Sequence, residues 1–317
     1  MSGLRRAGGR VLVVGAGSYI GDSFARYARG RLHVDVVDSY EGWKAASFHE
    51  YDCVLMAAGI AHQRWNRKQQ EANKDKYFAV NHELAVAVAK KAKDGGVGQF
   101  IYLSSMAVFG RVEGVITAGT KAIPRDGDYY GLSKFMAEAE LASLFETGQA
   151  EPPSLEGGAS EGGGGCTVYA NRPTTLCIVR PPMVYGPGCP GKFAALVKVA
   201  KKLPVIPKVN NRRSMIFIDN LCEFLCLAAE HRISGVFHPQ NNEHMNTTWL
   251  IRAVAEAMGK QPVAVPGLGL IVRLVKPFSA AIQTAFGSLY YDESMMIMPF
   301  KDDYQLVSAK ESAKRSI

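Results

Sequence analysis

The sequence predicts an α/β protein organised on a doubly wound parallel sheet. Short β-branched runs alternate with helical apolar patterns over two thirds of the 317 residues. Several of those runs end on Gly, Ala or Ser, the small residues that let backbone approach a ligand at the carboxyl edge of an open sheet. No internal period of roughly 20 to 50 residues is present, which excludes repeat architectures.

The first run, residues 10–14 (RVLVV), ends in Gly15-Ala16-Gly17-Ser18-Tyr19-Ile20-Gly21 and passes into a helical pattern reaching Ala28. Strand, glycine turn and helix aim unsatisfied amides at a pyrophosphate. The spacing is G-x-G-x-x-x-G rather than G-x-G-x-x-G, so its context carries the reading. A second strand over 32–38 closes a βαβ unit and ends on Asp38. A carboxylate there can accept hydrogen bonds from the adenosine ribose and repels a 2′-phosphate, favouring NAD over NADP; a plain strand-end turn residue is the alternative. Residues 39–50 show no strand. The next buried strand, 51–56, ends in Ala57-Ala58-Gly59.

Residues 74–93 read as one long amphipathic helix containing Asn81, with Ala85, Val88 and Ala89 on its apolar side. A strand over 100–103 leads into Ser104-Ser105, whose hydroxyls are placed at the same sheet edge. A further helix follows from about 129 to 146. The segment 149–165, rich in Pro, Gly, Ser and Glu, reads as a surface loop. The sheet resumes over 175–179 and runs into Arg180-Pro181-Pro182-Met183-Val184-Tyr185-Gly186-Pro187-Gly188. Helices are expected over 192–202, 220–230 and 247–258, with a strand near 211–219 entered by Arg212-Arg213. Two adjacent arginines can clamp a diphosphate or form a surface pair.

Tyr130 and Lys134 stand four residues apart, so both side chains leave one helix face. A phenol has an ordinary pKa of about 10. A neighbouring ammonium favours the phenolate and draws that value down, which suits the phenol to acid–base work. Tyr129 is one residue out of register.

Composition is ordinary for a globular chain, with 47% hydrophobic and 21% charged residues. The formal charge of +8 suits anionic small molecules or acidic surfaces. Its Lys and Arg are dispersed, without the aromatic–basic pattern or zinc spacing of a nucleic-acid binder, so no nucleic-acid partner and no metal are expected. The six cysteines contain no C-x-x-C pair and no disulfide framework, which points to a reducing cytoplasm. The basic residues 1–10 lead into a strand, not a signal-peptide core. No apolar run long enough to span a bilayer occurs. The nearest stretch, 268–285, is interrupted by Arg273, Lys276 and Pro277; it reads as a helix packed on the fold or on a partner subunit, with peripheral membrane contact as the other reading.

Taken together, these motifs resemble the extended short-chain dehydrogenase/reductase superfamily, in its nucleotide-sugar epimerase/dehydratase branch, over nearly the whole chain. The resemblance implies a Rossmann-like doubly wound sheet with a smaller C-terminal substrate-binding subdomain. It divides the chain into an NAD-binding part, 1–180 with 219–240 returning to it, and a substrate part, 181–218 and 241–317. It implies NAD held by Gly15, Gly17, Ser18, Tyr19, Ile20, Gly21, Asp38, Ala57, Ala58, Gly59, Tyr130, Lys134 and Pro181. Ser104-Ser105-Met106-Ala107-Val108-Phe109-Gly110 is similar to the family's Ser-Ser-x-x-Val-Tyr-Gly segment and makes Ser105 the active-site hydroxyl beside the Tyr130–Lys134 pair. Substrate contacts fall on Ser105, Met183, Lys192 and Arg213, the last gripping a nucleotide diphosphate.

Three departures stand out. Ser18 occupies the middle glycine position of G-x-x-G-x-x-G, Met183 stands where many UDP-sugar epimerases carry Asn, and Met106-Ala107 replaces the Asp-Glu of the dehydratases, arguing against dehydration. The resemblance is strongest to bacterial polysaccharide-cluster 4-epimerases acting on UDP-glucose or UDP-N-acetylhexosamine. The expected function is therefore C4 inversion of a UDP-hexose by transient hydride transfer to bound NAD, in a cytoplasmic enzyme and possible homodimer. A UDP-4-ketosugar reductase using NAD(P)H is the second reading, and a non-catalytic dinucleotide sensor is the reading from another class.

Overall fold

The computed structural model describes residues 9–60, 67–145, 173–296 and 300–317; the 149–165 segment and Cys166 lie outside them. Six parallel strands form the central sheet: β1 (Arg10–Val14), β2 (His33–Val37), β3 (Cys53–Met56), β4 (Gln99–Leu103), β5 (Thr175–Val179) and β6 (Gly235–Phe237). Their order is β6-β5-β4-β3-β1-β2, with every pairing parallel. From β1 the chain crosses to β2 on one side and returns to β3 on the other. That switch places the ends of β1 and β3 side by side, the position where open α/β sheets form a ligand crevice.

Period-two alternation sends successive strand residues to opposite faces, and both faces are covered. Val11, Val13, Leu55 and Ile101 pack on the layer that holds Phe24, Leu221 and Leu225. Leu12, Val14, Val54 and Phe100 pack on Ala85, Val88, Ala89, Ala137 and Leu141. Each large aliphatic side chain so buried contributes about 1.5–3 kcal/mol. The helix Tyr19–Tyr27 follows β1, and Ile218–His231 lies against it. Arg31, just beyond the first helix, ties to Glu223 and Glu230 at 2.6 and 2.5 Å.

The long helix expected over 74–93 is not uniform. It runs as Lys74–Phe78 and Leu84–Asp94 around a π-helical turn, Ala79–Glu83. An inserted residue of this kind re-aims the side chains within the turn, and Asn81 lies there, fully buried.

Outside the central sheet, short strands pair at long range: Met183–Tyr185 with Met215–Phe217, Val205–Pro207 with Val263–Val265, and Gly114–Ile116 with Leu289–Tyr291. Arg212 and Arg213 precede the Met215–Phe217 strand rather than lying in it. The C-terminal helix Ala309–Arg315 is locked by Tyr185, whose hydroxyl lies 2.6 Å from Ser312 Oγ and accepts from Asn241 Nδ2 at 2.8 Å. The stretch 268–285 is broken near Pro277 into the helices Pro266–Val275 and Ala280–Phe286. No residue of the first is buried, so it is not packed into the fold as a core helix would be. Among the described residues no helix is long and apolar enough to cross a membrane. The five described cysteines are buried thiols.

Candidate active site

All parallel strands present their carboxyl ends to one edge, so Gly15, Ala57–Gly59, Ser104–Ser105 and Arg180–Pro181 converge there. Gly15 has φ +131°, and a Cβ on it would lie 2.5 Å from the Ala58 amide nitrogen. Only glycine allows the β1 and β3 ends to approach so closely. Gly17 takes the left-handed value of +81° and has open space where a Cβ would stand. Ser18 has φ −78°, ordinary for an L-residue, and its Oγ accepts from Gly21 N at 3.2 Å, capping the helix. The shift of one glycine to position 17 thus keeps the turn while leaving position 18 for a capping hydroxyl.

Gly15, Gly17, Ser18, Ala58 and Gly59 line a cleft of about 570 Å³ together with Trp43. The indole Nε1–H of Trp43 is buried without a hydrogen-bond partner, an orphan donor of the kind a bound polar ligand satisfies. The glycine cradle, the helix N-terminus and this donor fit a dinucleotide. Asp38 lies just past β2 and its Oδ1 accepts from the amides of Tyr40, Glu41 and Gly42 at 2.7, 3.0 and 3.3 Å. Those bonds hold its carboxyl below the usual range. Asp38 therefore forms the turn after β2 and does not itself line the 570 Å³ cleft, whereas Ser39, Tyr40 and Glu41 do. Tyr19 and Ile20 pack against the sheet core, with the Tyr19 hydroxyl buried without a partner, and Gly21 sits against Ala57.

We expect Gly15→Ala to destabilise the fold by about 1–3 kcal/mol through its backbone conformation and to weaken dinucleotide binding on the order of tenfold, equivalent to about 1.4 kcal/mol. Thermal melts and a binding titration read both. Wild-type affinity in the variant would remove the turn from the binding site.

Ser105 caps the short turn Met106–Phe109, its Oγ accepting from Ala107 N at 3.1 Å. Neighbouring backbone is pinned to β5 and beyond: Ser104 N donates to Val179 O at 2.8 Å and Met106 N to Pro181 O at 3.1 Å. Pro181 thus positions the serine turn. The helix Tyr129–Phe145 brings the half-buried Tyr130 phenol beside the Ser105 hydroxyl, its ring near Tyr77. Tyr129 turns away and its hydroxyl donates to Glu71. Lys134 is almost fully buried; its ammonium donates to Leu103 O at 2.8 Å and lies 4.7 Å from the centre of the Tyr102 ring.

The expected lowering of the Tyr130 pKa is not found in the protein alone. Burial pushes the phenol up, and the neighbouring Ser105 hydroxyl only partly opposes it. Lys134 is pushed down to about 7 by burial, with Glu138 opposing. Desolvation disfavours phenolate and ammonium alike, so it outweighs the attraction anticipated from their spacing.

Two contributors were assigned no role from the sequence: Asn81, placed there only within a helix, and Glu138. Asn81 reaches Ile60 through both amide atoms, Ile60 N to Oδ1 at 2.8 Å and Nδ2 to Ile60 O at 3.1 Å, and Nδ2 also donates to Ser133 Oγ at 3.1 Å. It ties the loop after Gly59 to the Tyr130 helix. The signal available was an Asn on an otherwise Ala/Val/Leu stripe. Glu138, one turn beyond Lys134, receives a bidentate pair from Arg180 at 2.9 and 2.5 Å, fixing helix to strand end.

Of the residues expected to meet substrate, Met183 begins its short strand, Lys192 is exposed at the start of Lys192–Lys202, and Arg213 donates to Gly287 O at 3.0 Å. None of the three lines the 570 Å³ cleft. They belong to the elements beyond β5.

Comparison with known proteins agrees with this geometry. Residues 3–247 match the model of the NAD dependent epimerase/dehydratase family. The chain is 31% identical over 198 residues to UDP-glucose 4-epimerase of Vibrio cholerae, covering 60% of this chain and 52% of that protein. It is 28% identical over 190 residues to ceramide reductase of Caulobacter vibrioides, covering 56% and 59%. The chain thus spans about half the length of the curated relatives it matches. Its fold is that of UDP-glucuronic acid 4-epimerase from Bacillus cereus in complex with NAD, with TM-score 0.66, 16% identity and 97% of each chain covered. The glycine turn, the β1/β3 crevice and the family match lead to one conclusion: the chain belongs to the NAD-dependent epimerase/dehydratase family, and its cofactor is NAD.

Proposed function

We propose that the chain is a 4-epimerase of a UDP-hexose or UDP-N-acetylhexosamine, serving polysaccharide precursor synthesis. The observation that carries the reading is the Tyr130 phenol set beside the Ser105 hydroxyl at the sheet edge that holds the glycine cleft. Gly15, Gly17 and Ser18 would hold the pyrophosphate of NAD, Asp38 its adenosine ribose and Lys134 its nicotinamide ribose. NAD, when bound, supplies a hydride acceptor and later donor. Tyr130, once ionised against the burial that raises its pKa, takes the proton of the sugar 4-hydroxyl and returns it, while Ser105 hydrogen-bonds that oxygen as charge develops. Arg213 grips the nucleotide diphosphate and so leaves the sugar free to present its other face. The similarity to the Vibrio cholerae epimerase supports this substrate class.

A second reading, reduction of a ketosugar by NAD(P)H, is favoured by the similarity to a ceramide reductase. It uses the same three residues once per turnover. Incubating the purified protein with UDP-glucose or UDP-N-acetylglucosamine, without added nucleotide, separates the two. C4 inversion, read by the coupling constants of the product sugar, is expected. Turnover seen only with a 4-ketosugar and stoichiometric NAD(P)H would replace the epimerase reading with the reductase.

A further inference from the structure

We infer that the helix Pro266–Val275 and the turn that follows it form a docking surface for an anionic membrane. The inference concerns a face apart from the cofactor cleft and holds whichever reaction the site performs. Leu270, Ile271, Leu274 and Val275 fall at i, i+1, i+4 and i+5, one stripe of the helix, and Phe278 continues it. They are exposed by 58, 56, 64, 39 and 89% respectively. No residue of the helix is buried. Its anchorage is close backbone packing instead, since a Cβ on Gly269 would lie 2.0 Å from the Lys208 carbonyl oxygen. A contiguous apolar stripe this exposed marks an interaction surface.

Charge decides what the surface meets. Residues 257–291 contain Lys260, Arg273 and Lys276 and no Asp or Glu. Lys276 answers Glu113 at 2.6 Å, whereas Arg273 stands exposed beside the apolar stripe. Lys208 and Arg252, both exposed, border the neighbouring groove with Trp249; Arg252 is answered there by Glu256 at 3.5 Å, which leaves Lys208 and Arg273 as the cations of the rim. A second copy would bring the same cationic rim against itself in a two-fold contact, on a chain already carrying +8. An anionic leaflet attracts that rim while its acyl boundary receives the leucines and phenylalanine, the arrangement of interfacial helices.

The test is flotation of the full chain with phosphatidylcholine vesicles, with and without phosphatidylglycerol. Flotation with the anionic vesicles is expected. The double variant Leu270→Ser, Leu274→Ser should reduce it by roughly tenfold or more, from the lost apolar burial, and Arg273→Gln by roughly fivefold. Phe278→Trp gives a readout that does not depend on those variants: its added emission should shift to the blue and be quenched by brominated lipid. No flotation, undiminished flotation of the leucine variant, or unchanged emission from the Trp variant would overturn the inference. So would a lipid-free oligomer, seen by sedimentation, that the leucine substitutions abolish, because the stripe would then be a protein contact.

Discussion

Tyr130→Phe should lower turnover by about 10³-fold, within the span attributed to a positioned acid–base group, and leave NAD affinity changed by less than about threefold, under 1 kcal/mol. The substitution removes one oxygen and keeps the ring. The ring's neighbour Tyr77, at 6.4 Å between centroids, retains its contact, and Ser105 keeps the capping bond from Ala107. Lys134 remains anchored on Leu103 O. Lost activity in a variant that melts normally and binds NAD therefore isolates proton transfer. Steady-state turnover of the UDP-sugar and fluorescence titration with NAD provide the two readings. Turnover within a factor of ten of wild type would assign the proton to another group and undo the role given to the Ser105–Tyr130 contact.

The places where sequence reasoning succeeded share a cause. In a parallel sheet every strand ends at the same edge, so reading Gly15, Gly59, Ser105 and Pro181 as strand ends already places them together without any tertiary information. The β1 glycine turn was equally legible because its backbone requirement, a positive φ and a close approach at Gly15, is written in residue type. Features that depend on insertion or distant pairing were not. Asn81 lies in a π-turn that the 3.6-residue apolar pattern on either side conceals. Gly114–Ile116 pairs with Leu289–Tyr291 across most of the chain, and three-residue strands carry no usable alternation. The 268–285 stretch was read as a helix packed on the fold or a partner, or as a peripheral membrane contact; composition alone does not say whether an apolar face is covered, and the uncovered face of Pro266–Val275 emerges only in three dimensions. The direction of the Tyr130 shift was missed for a related reason. Spacing reports that a lysine is near, but the desolvation that pushes phenol and amine toward their neutral forms depends on everything packed around them.

That desolvation makes Lys134 a cost to the cofactor-free fold. Its pKa falls from the ordinary 10.5 to about 7, so the unfolded chain binds more protons than the folded one between those values, and stability rises with pH across that window. The contribution is fully present above about 10.5 and is lost as pH falls through about 7. A displacement of that size corresponds to at most roughly 5 kcal/mol, reduced by the bond to Leu103 O and the Tyr102 ring face; a net effect on the order of 2–3 kcal/mol is expected. Lys134→Met should accordingly abolish turnover yet melt higher than wild type near neutral pH, with the gap closing as pH rises toward about 10. Comparing the two proteins cancels the buried thiols and phenols, whose raised values act in the opposite direction at alkaline pH. Melting curves of both proteins without NAD, taken across the window, provide the check. If the two run parallel from neutral to alkaline pH, the lysine is charged in the folded protein throughout. The buried amine would then be stabilised by contacts stronger than the carbonyl and ring described above.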